Sequence, residues 1–96
     1  MKAPASFNAV CRNFIQDLEL IAGTPEGVID FAIQDLDVNE MRELNGFLDE
    51  LLGGIHTHEE LQALWWSSPA EIHFRDGNKL LAFLALMQAR IARSLV

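Results

Sequence analysis

Apolar residues recur along this chain at steps of three and four, which is the spacing of helix faces. Phe7, Val10, Cys11, Phe14, Leu18 and Ile21 form the first such face. The spacing predicts a helix over 6–22, with the Ser6 hydroxyl accepting from a free first-turn N–H and Gly23 supplying a left-handed stop. Thr24-Pro25 restarts the chain, Thr24 as cap and Pro25 at the first helical position, where its missing N–H costs nothing. The second helix, 25–36, packs through Val28, Ile29, Ala32, Ile33 and Leu36, and Gly27 weakens its first turn. Asp37 with Glu40 three residues later is a capping-box variant that opens a third helix running to Leu52. Its core face reads Val38, Met41, Leu44, Leu48, Leu51 and Leu52, and Gly53-Gly54 ends it.

Thr57-His58-Glu59-Glu60 is a second capping box. It opens a short fourth helix through Leu61, Leu64 and Trp65, closed by Ser67-Ser68-Pro69 because the residue before proline avoids helical geometry. Ile72-His73-Phe74 has the composition of a short strand, but no second strand exists to pair with it, and a lone strand cannot stand. Residues 70–75 therefore read as an ordered loop or a turn of helix. Asp76-Gly77 leads into a last helix, 78–94, whose first half is apolar nearly all round. Such a helix belongs at the centre, covered by the others. The expected fold is all-α, a compact bundle of four to five short helices forming one domain over 1–96.

Composition agrees with an unaided core. Half of the 96 residues are hydrophobic and 22% are charged, which is globular rather than disordered. Cys11 is the single cysteine, so no internal disulfide is possible, and its place on an apolar stripe reads as a small buried hydrophobe. The longest apolar run, 80–87, is far short of the roughly 20 residues a membrane span needs, and the N-terminus carries no signal-type run. The expectation is a cytoplasmic protein without membrane contact.

Charge changes the picture more. The net charge is −7, and twelve acids with one base, Arg42, fall between Asp17 and Glu60. Such a field repels phosphate backbones and anionic lipid, so direct nucleic-acid binding is not expected, and it attracts basic proteins. Solubility alone would not require the acids to concentrate in one block.

Candidate chemistry is sparse. His56 and His58 flank a turn and His73 lies far along the chain, which is not a metal-ligand spacing. There is no glycine-rich phosphate loop, nucleophile elbow, dinucleotide fingerprint or tyrosine, so no cofactor and no enzymatic activity are expected. Glu40, Glu43, Phe47 and Glu50, spaced three, four and three, share one stripe of the third helix. An aromatic ring among acids resembles a binding epitope, and Asp30, Asp35 and Asp37 extend it. Alternatively, Phe47 packs against the first or last helix and the acids are merely solvated. Trp65 and Trp66 point about 100° apart on a helix. Trp65 aligns with Leu61 and Leu64 in the core, whereas Trp66 is either a lid over the Pro69 loop or an exposed anchor.

The segments Phe47-Leu-Asp-Glu-Leu-Leu-Gly-Gly and Glu59-Glu-Leu-Gln-Ala-Leu-Trp-Trp-Ser-Ser-Pro-Ala-Glu-Ile-His-Phe74 resemble the immunity proteins of bacterial contact-dependent growth inhibition systems. The likeness covers roughly 44–87 and rests on core and turn residues. It implies a partner, the toxic C-terminal domain of a large secreted effector, often a nuclease. The immunity protein would bind that domain in the cytoplasm as a heterodimer, cover its active or substrate-binding surface, and be a monomer when alone. Nucleases are basic because they hold phosphates, which is the partner that the acidic block suits. The rival expectation is a homo-oligomeric helical adaptor, self-associating through Phe47, Trp66 and the last helix.

Overall fold

The computed structural model describes residues 2–16, 18 and 22–95, and five α-helices have both ends among the described residues. They are α1 (Ala5–Arg12), α2 (Pro25–Ile33), α3 (Val38–Leu52), α4 (His58–Ser67) and α5 (Gly77–Ser94). No strand occurs among the described residues, and the all-α bundle expected from the periodicity is the fold. Helix starts follow the expected caps. Thr24 Oγ1 accepts the Gly27 N–H at 3.0 Å. Asp37 accepts the Glu40 N–H at 2.8 Å, and Glu40 returns the bond to the Asp37 N–H at 3.1 Å. Thr57 and Glu60 repeat this box at 3.1 and 3.0 Å. Each pair satisfies first-turn donors that have no partner inside the helix. Gly23 and Gly54 adopt φ of +79° and +86°, where a side chain would be strained. Gly27 is needed for close approach, since a Cβ there would lie 2.7 Å from the Ala22 carbonyl oxygen.

The first helix departs from expectation. It ends at Arg12, with Asn13 as its cap, rather than continuing to residue 22. The Asn13 and Phe14 N–H groups tighten onto Val10 and Cys11 at 3.0 and 3.1 Å. The Asn13 side-chain amide donates to the Ala32 carbonyl of α2 at 2.9 Å. The Phe14 carbonyl accepts the Glu71 N–H at 2.8 Å, and Glu71 Oε1 accepts the Gln16 N–H at 3.2 Å. A distant loop thus takes backbone groups that a continuous helix would have used. Ile21 of the expected face, and the acids Asp17 and Glu19, lie outside the described residues. Ser6 also differs from its expected role, because Pro4 holds the capping position. Ser6 is instead buried in the first turn, and both its N–H (3.3 Å) and its hydroxyl (2.7 Å) donate to Glu43 Oε1 of α3.

The second helix stops at Ile33 rather than Leu36. On α3 the buried residues are Leu44, Phe47, Leu48 and Leu51, so the core face is rotated from the one expected. With Leu44 as the reference at about 100° per residue, Phe47 falls roughly 60° to one side, whereas Val38 falls about 120° away. Val38 is accordingly 53% exposed and Phe47 only 7%.

Helix α5 packs against α2, α3 and α4, and α1 lies on α2 and α3. Leu80, Leu84, Met87 and Ile91 form its buried stripe, which gives the central position anticipated for it. Trp65 of α4 is buried among Phe7, Phe14, Phe74 and Phe83, with ring centroids 5.6–6.2 Å away. Residues 68–76 form an ordered loop held from α4: Trp65 Nε1–H donates to the Ile72 carbonyl at 2.7 Å, and the Gln62 amide donates to Phe74 and Arg75 at 3.3 and 3.1 Å. The radius of gyration, 12.3 Å, matches the roughly 12.5 Å of a compact chain of this length. No helix among the described residues is long and apolar enough to cross a membrane.

Two substitutions on α3 test this packing. Phe47→Ala is expected to lower the free energy of unfolding by about 3 kcal/mol in urea denaturation, where a surface ring would change it by less than about 0.5 kcal/mol. Gly46→Ala is expected to raise it by up to about 1 kcal/mol, because Gly46 sits in mid-helix with no atom within 4 Å of the added methyl.

Candidate protein-binding surface

Of the seven residues that the sequence assigns to a binding stripe, Phe47 lies inside the core and four of the acids carry local duties. Phe47 has its ring edge-on to Phe7 at 5.2 Å. Its place on the helix, between Leu44 and Leu48, turns it toward α1, so it cannot offer surface to a partner. Asp37 and Glu40 are occupied with each other's backbone in the capping box of α3. Glu43 is exposed but holds Ser6 of α1. Asp30 pairs side-on with Arg90 of α5: Arg90 Nε–H donates to Oδ1 at 2.8 Å, and Nη2 meets Oδ2. Asp35 and Glu50 are exposed, and their side chains make no hydrogen bond or ion pair among the described residues.

These local duties do not remove the charge. Hydrogen-bond donors beside a carboxylate favour its anion, as Asp30 and Glu60 show. The hydrogen bond from Arg90 keeps the Asp30 carboxyl below its ordinary range against the opposing effect of burial, and the charges of Arg90 and Arg93 add to this. Glu60 is likewise lowered, chiefly by the Thr57 backbone N–H. Between Thr24 and Ser67 the chain carries ten acids and one base. Eight of these acids are exposed: Glu26, Asp35, Asp37, Glu43, Asp49, Glu50, Glu59 and Glu60. The bases Lys79, Arg90 and Arg93 lie on α5.

The groups able to do chemistry are kept apart. His56 Nδ1 lies 3.7 Å from Glu60, His58 packs over Gly77, and His73 stacks on Trp66 at 4.3 Å and 14°. No three His, Cys, Asp or Glu side chains are placed to hold a metal among the described residues. Cys11 is buried and its thiol is pushed up to about 12 by that burial, with a hydrogen bond to Ser68 opposing. A thiol so far above neutral pH is not a nucleophile. An apolar cleft of about 250 Å3 lies between Gly23, Thr24, Pro25 and Val28 at the start of α2 and Ile72, Phe74 and Phe83. The Thr24 hydroxyl there already serves as a helix cap.

The exposed aromatic surface comes from two other rings. Trp66, which the sequence offered as a lid or an exposed anchor because two neighbours on a helix cannot both face inward, is 55% exposed, and Phe31, which periodicity missed, is 41% exposed. Comparison with protein-family models, with curated proteins and with solved structures finds no match for this chain.

The Asp30–Arg90 pair has a defined pH signature. A folded-state carboxyl below its unfolded value contributes stability above the ordinary carboxylate range and loses it as pH falls through the folded value. The difference in unfolding free energy between the natural chain and Asp30→Asn is therefore expected to be present at neutral pH. It should shrink between about pH 5 and pH 2, as read by urea titrations across that range.

Proposed function

We propose that this protein binds and neutralises a basic protein, as an immunity protein against the toxic C-terminal domain of a contact-dependent growth inhibition effector. The observation that carries the reading is the exposure of eight carboxylates between Thr24 and Ser67 with Arg42 as the only base in that stretch. Fixed acidic helices present a negative field without first having to be ordered, which speeds encounter with a cationic partner and disfavours polyanions. A nuclease domain, cationic because it must hold phosphates, fits that description. The likeness of 44–87 to immunity proteins supports the same partner, and its residues are the ones that build α4, the 68–76 loop and α5. On this reading the chain acts in the cytoplasm without a cofactor, and occlusion of the toxin's substrate surface is the whole of its activity.

The test starts from the reading frame beside this one on the chromosome. Its C-terminal domain, expressed alone, should arrest growth, and co-expression of this chain should restore it. The two should elute as a one-to-one complex in gel filtration. A stable homodimer that ignores the domain would overturn the reading in favour of a self-associating adaptor. Charge reversal at Asp35 and Glu50, two acids without an internal duty, is expected to slow association about tenfold and to flatten its salt dependence in stopped-flow measurements. Glu43 is less suitable for this purpose, since changing it also releases Ser6.

A further inference from the structure

The exposed face of α4 combines features that none of the other acidic surfaces has. Trp66 leaves more than half of its surface open. Among the described residues its ring stacks on His73 alone, apart from the cluster that buries Trp65. The imidazole covers one indole face and restrains the ring, so little side-chain freedom remains to be lost on binding. Glu59, Ala63 and Trp66 follow at steps of four and three, so they share one stripe of the helix. An open depression of about 310 Å3, lined by Glu60, Ala63, Leu64 and Ser67, runs alongside. Ala63 is part of its lining, and on the helix it falls between the directions of Trp66 and Glu60. Glu59 is exposed and engages no partner among the described residues.

We infer that this face of α4 is the docking site for the basic partner, with Trp66 as its anchor. The inference rests on the reading of the protein as an inhibitor of a cationic domain, and it moves the contact from the α3 stripe to α4. An arginine or lysine of the partner lies against the open indole surface, where the ring quadrupole attracts a cation, and neighbouring cations meet Glu59 and Glu60. Tryptophan is among the residues that most often dominate binding energy at protein interfaces, and the carboxylates beside it supply charge complementarity to a basic partner. A second copy of the chain is a poor occupant, because pairing this face with itself would set its carboxylates against one another.

The experiment uses the full chain and the C-terminal domain encoded by the adjacent frame, with affinity measured by calorimetry. Trp66→Ala is expected to weaken binding by about 30-fold or more while leaving the urea midpoint nearly unchanged. Glu59→Lys should weaken it further at low salt. In the natural complex the acrylamide-accessible tryptophan emission, which belongs to Trp66, should become shielded. That measurement decides the matter even if the alanine variant folds poorly. Binding within twofold of the natural chain for Trp66→Ala, together with unshielded emission in the complex, overturns the α4 site and leaves the inhibitory function standing. Absence of any complex between the natural chain and the domain overturns both.

Discussion

Trp65 can be buried because its indole N–H finds the Ile72 carbonyl at 2.7 Å. A buried N–H without an acceptor costs about 1–3 kcal/mol, and removing the ring would empty the contact point of four phenylalanines. That one bond commits the 68–76 loop to lie against α4. The loop in turn offers its Glu71 N–H to the Phe14 carbonyl and its Phe74 ring to Phe83 of α5 at 5.0 Å. The path of the chain after α1, the shape of the loop and the seating of α5 therefore depend on where a single indole is placed.

The acids are the second organising element, and they act at two ranges. At short range they are fasteners: Asp37 with Glu40, and Glu60 with Thr57, close helix starts, Glu43 joins α3 to α1, and Asp30 joins α2 to α5. At long range the excess of ten acids over one base between Thr24 and Ser67 makes a negative field. An acidic protein that fastens its own helices with part of that charge presents the field from a framework that does not need to rearrange. Such a framework suits fast encounter and a fixed epitope, the two demands placed on the inhibitor proposed here.

The arrangement of the remaining functional groups points the same way. The three histidines engage three different neighbours, and the thiol of Cys11 is sealed and neutral. The distinctive surface groups are instead an exposed indole restrained by an imidazole and a set of free carboxylates. In the proposed reading these groups serve recognition, with shape and charge as the variables that select the partner.

Most of the fold was legible along the chain. Caps, stops and faces are short-range matters: Thr24, Asp37 and Thr57 bond to backbone three residues away, and Gly23 and Gly54 need only their own torsions. The sequence by itself therefore determined four of the five helix starts, the all-α class, the central place of α5 and the inward position of Trp65. Where α1 ends, which way Ser6 bonds and which aromatic is exposed were decided by tertiary contacts. Asn13 and Phe14 leave the helix because Ala32 and Glu71, some 19 to 57 residues further along, compete for their polar groups. Val38 left the expected core face, and of the two readings open for Phe47 the structure takes the one in which it packs on the first helix, because a helix face is bounded by what packs on it. Periodicity fixes the angles between residues on α3, but only the position of α1 determines which of those angles lies inside.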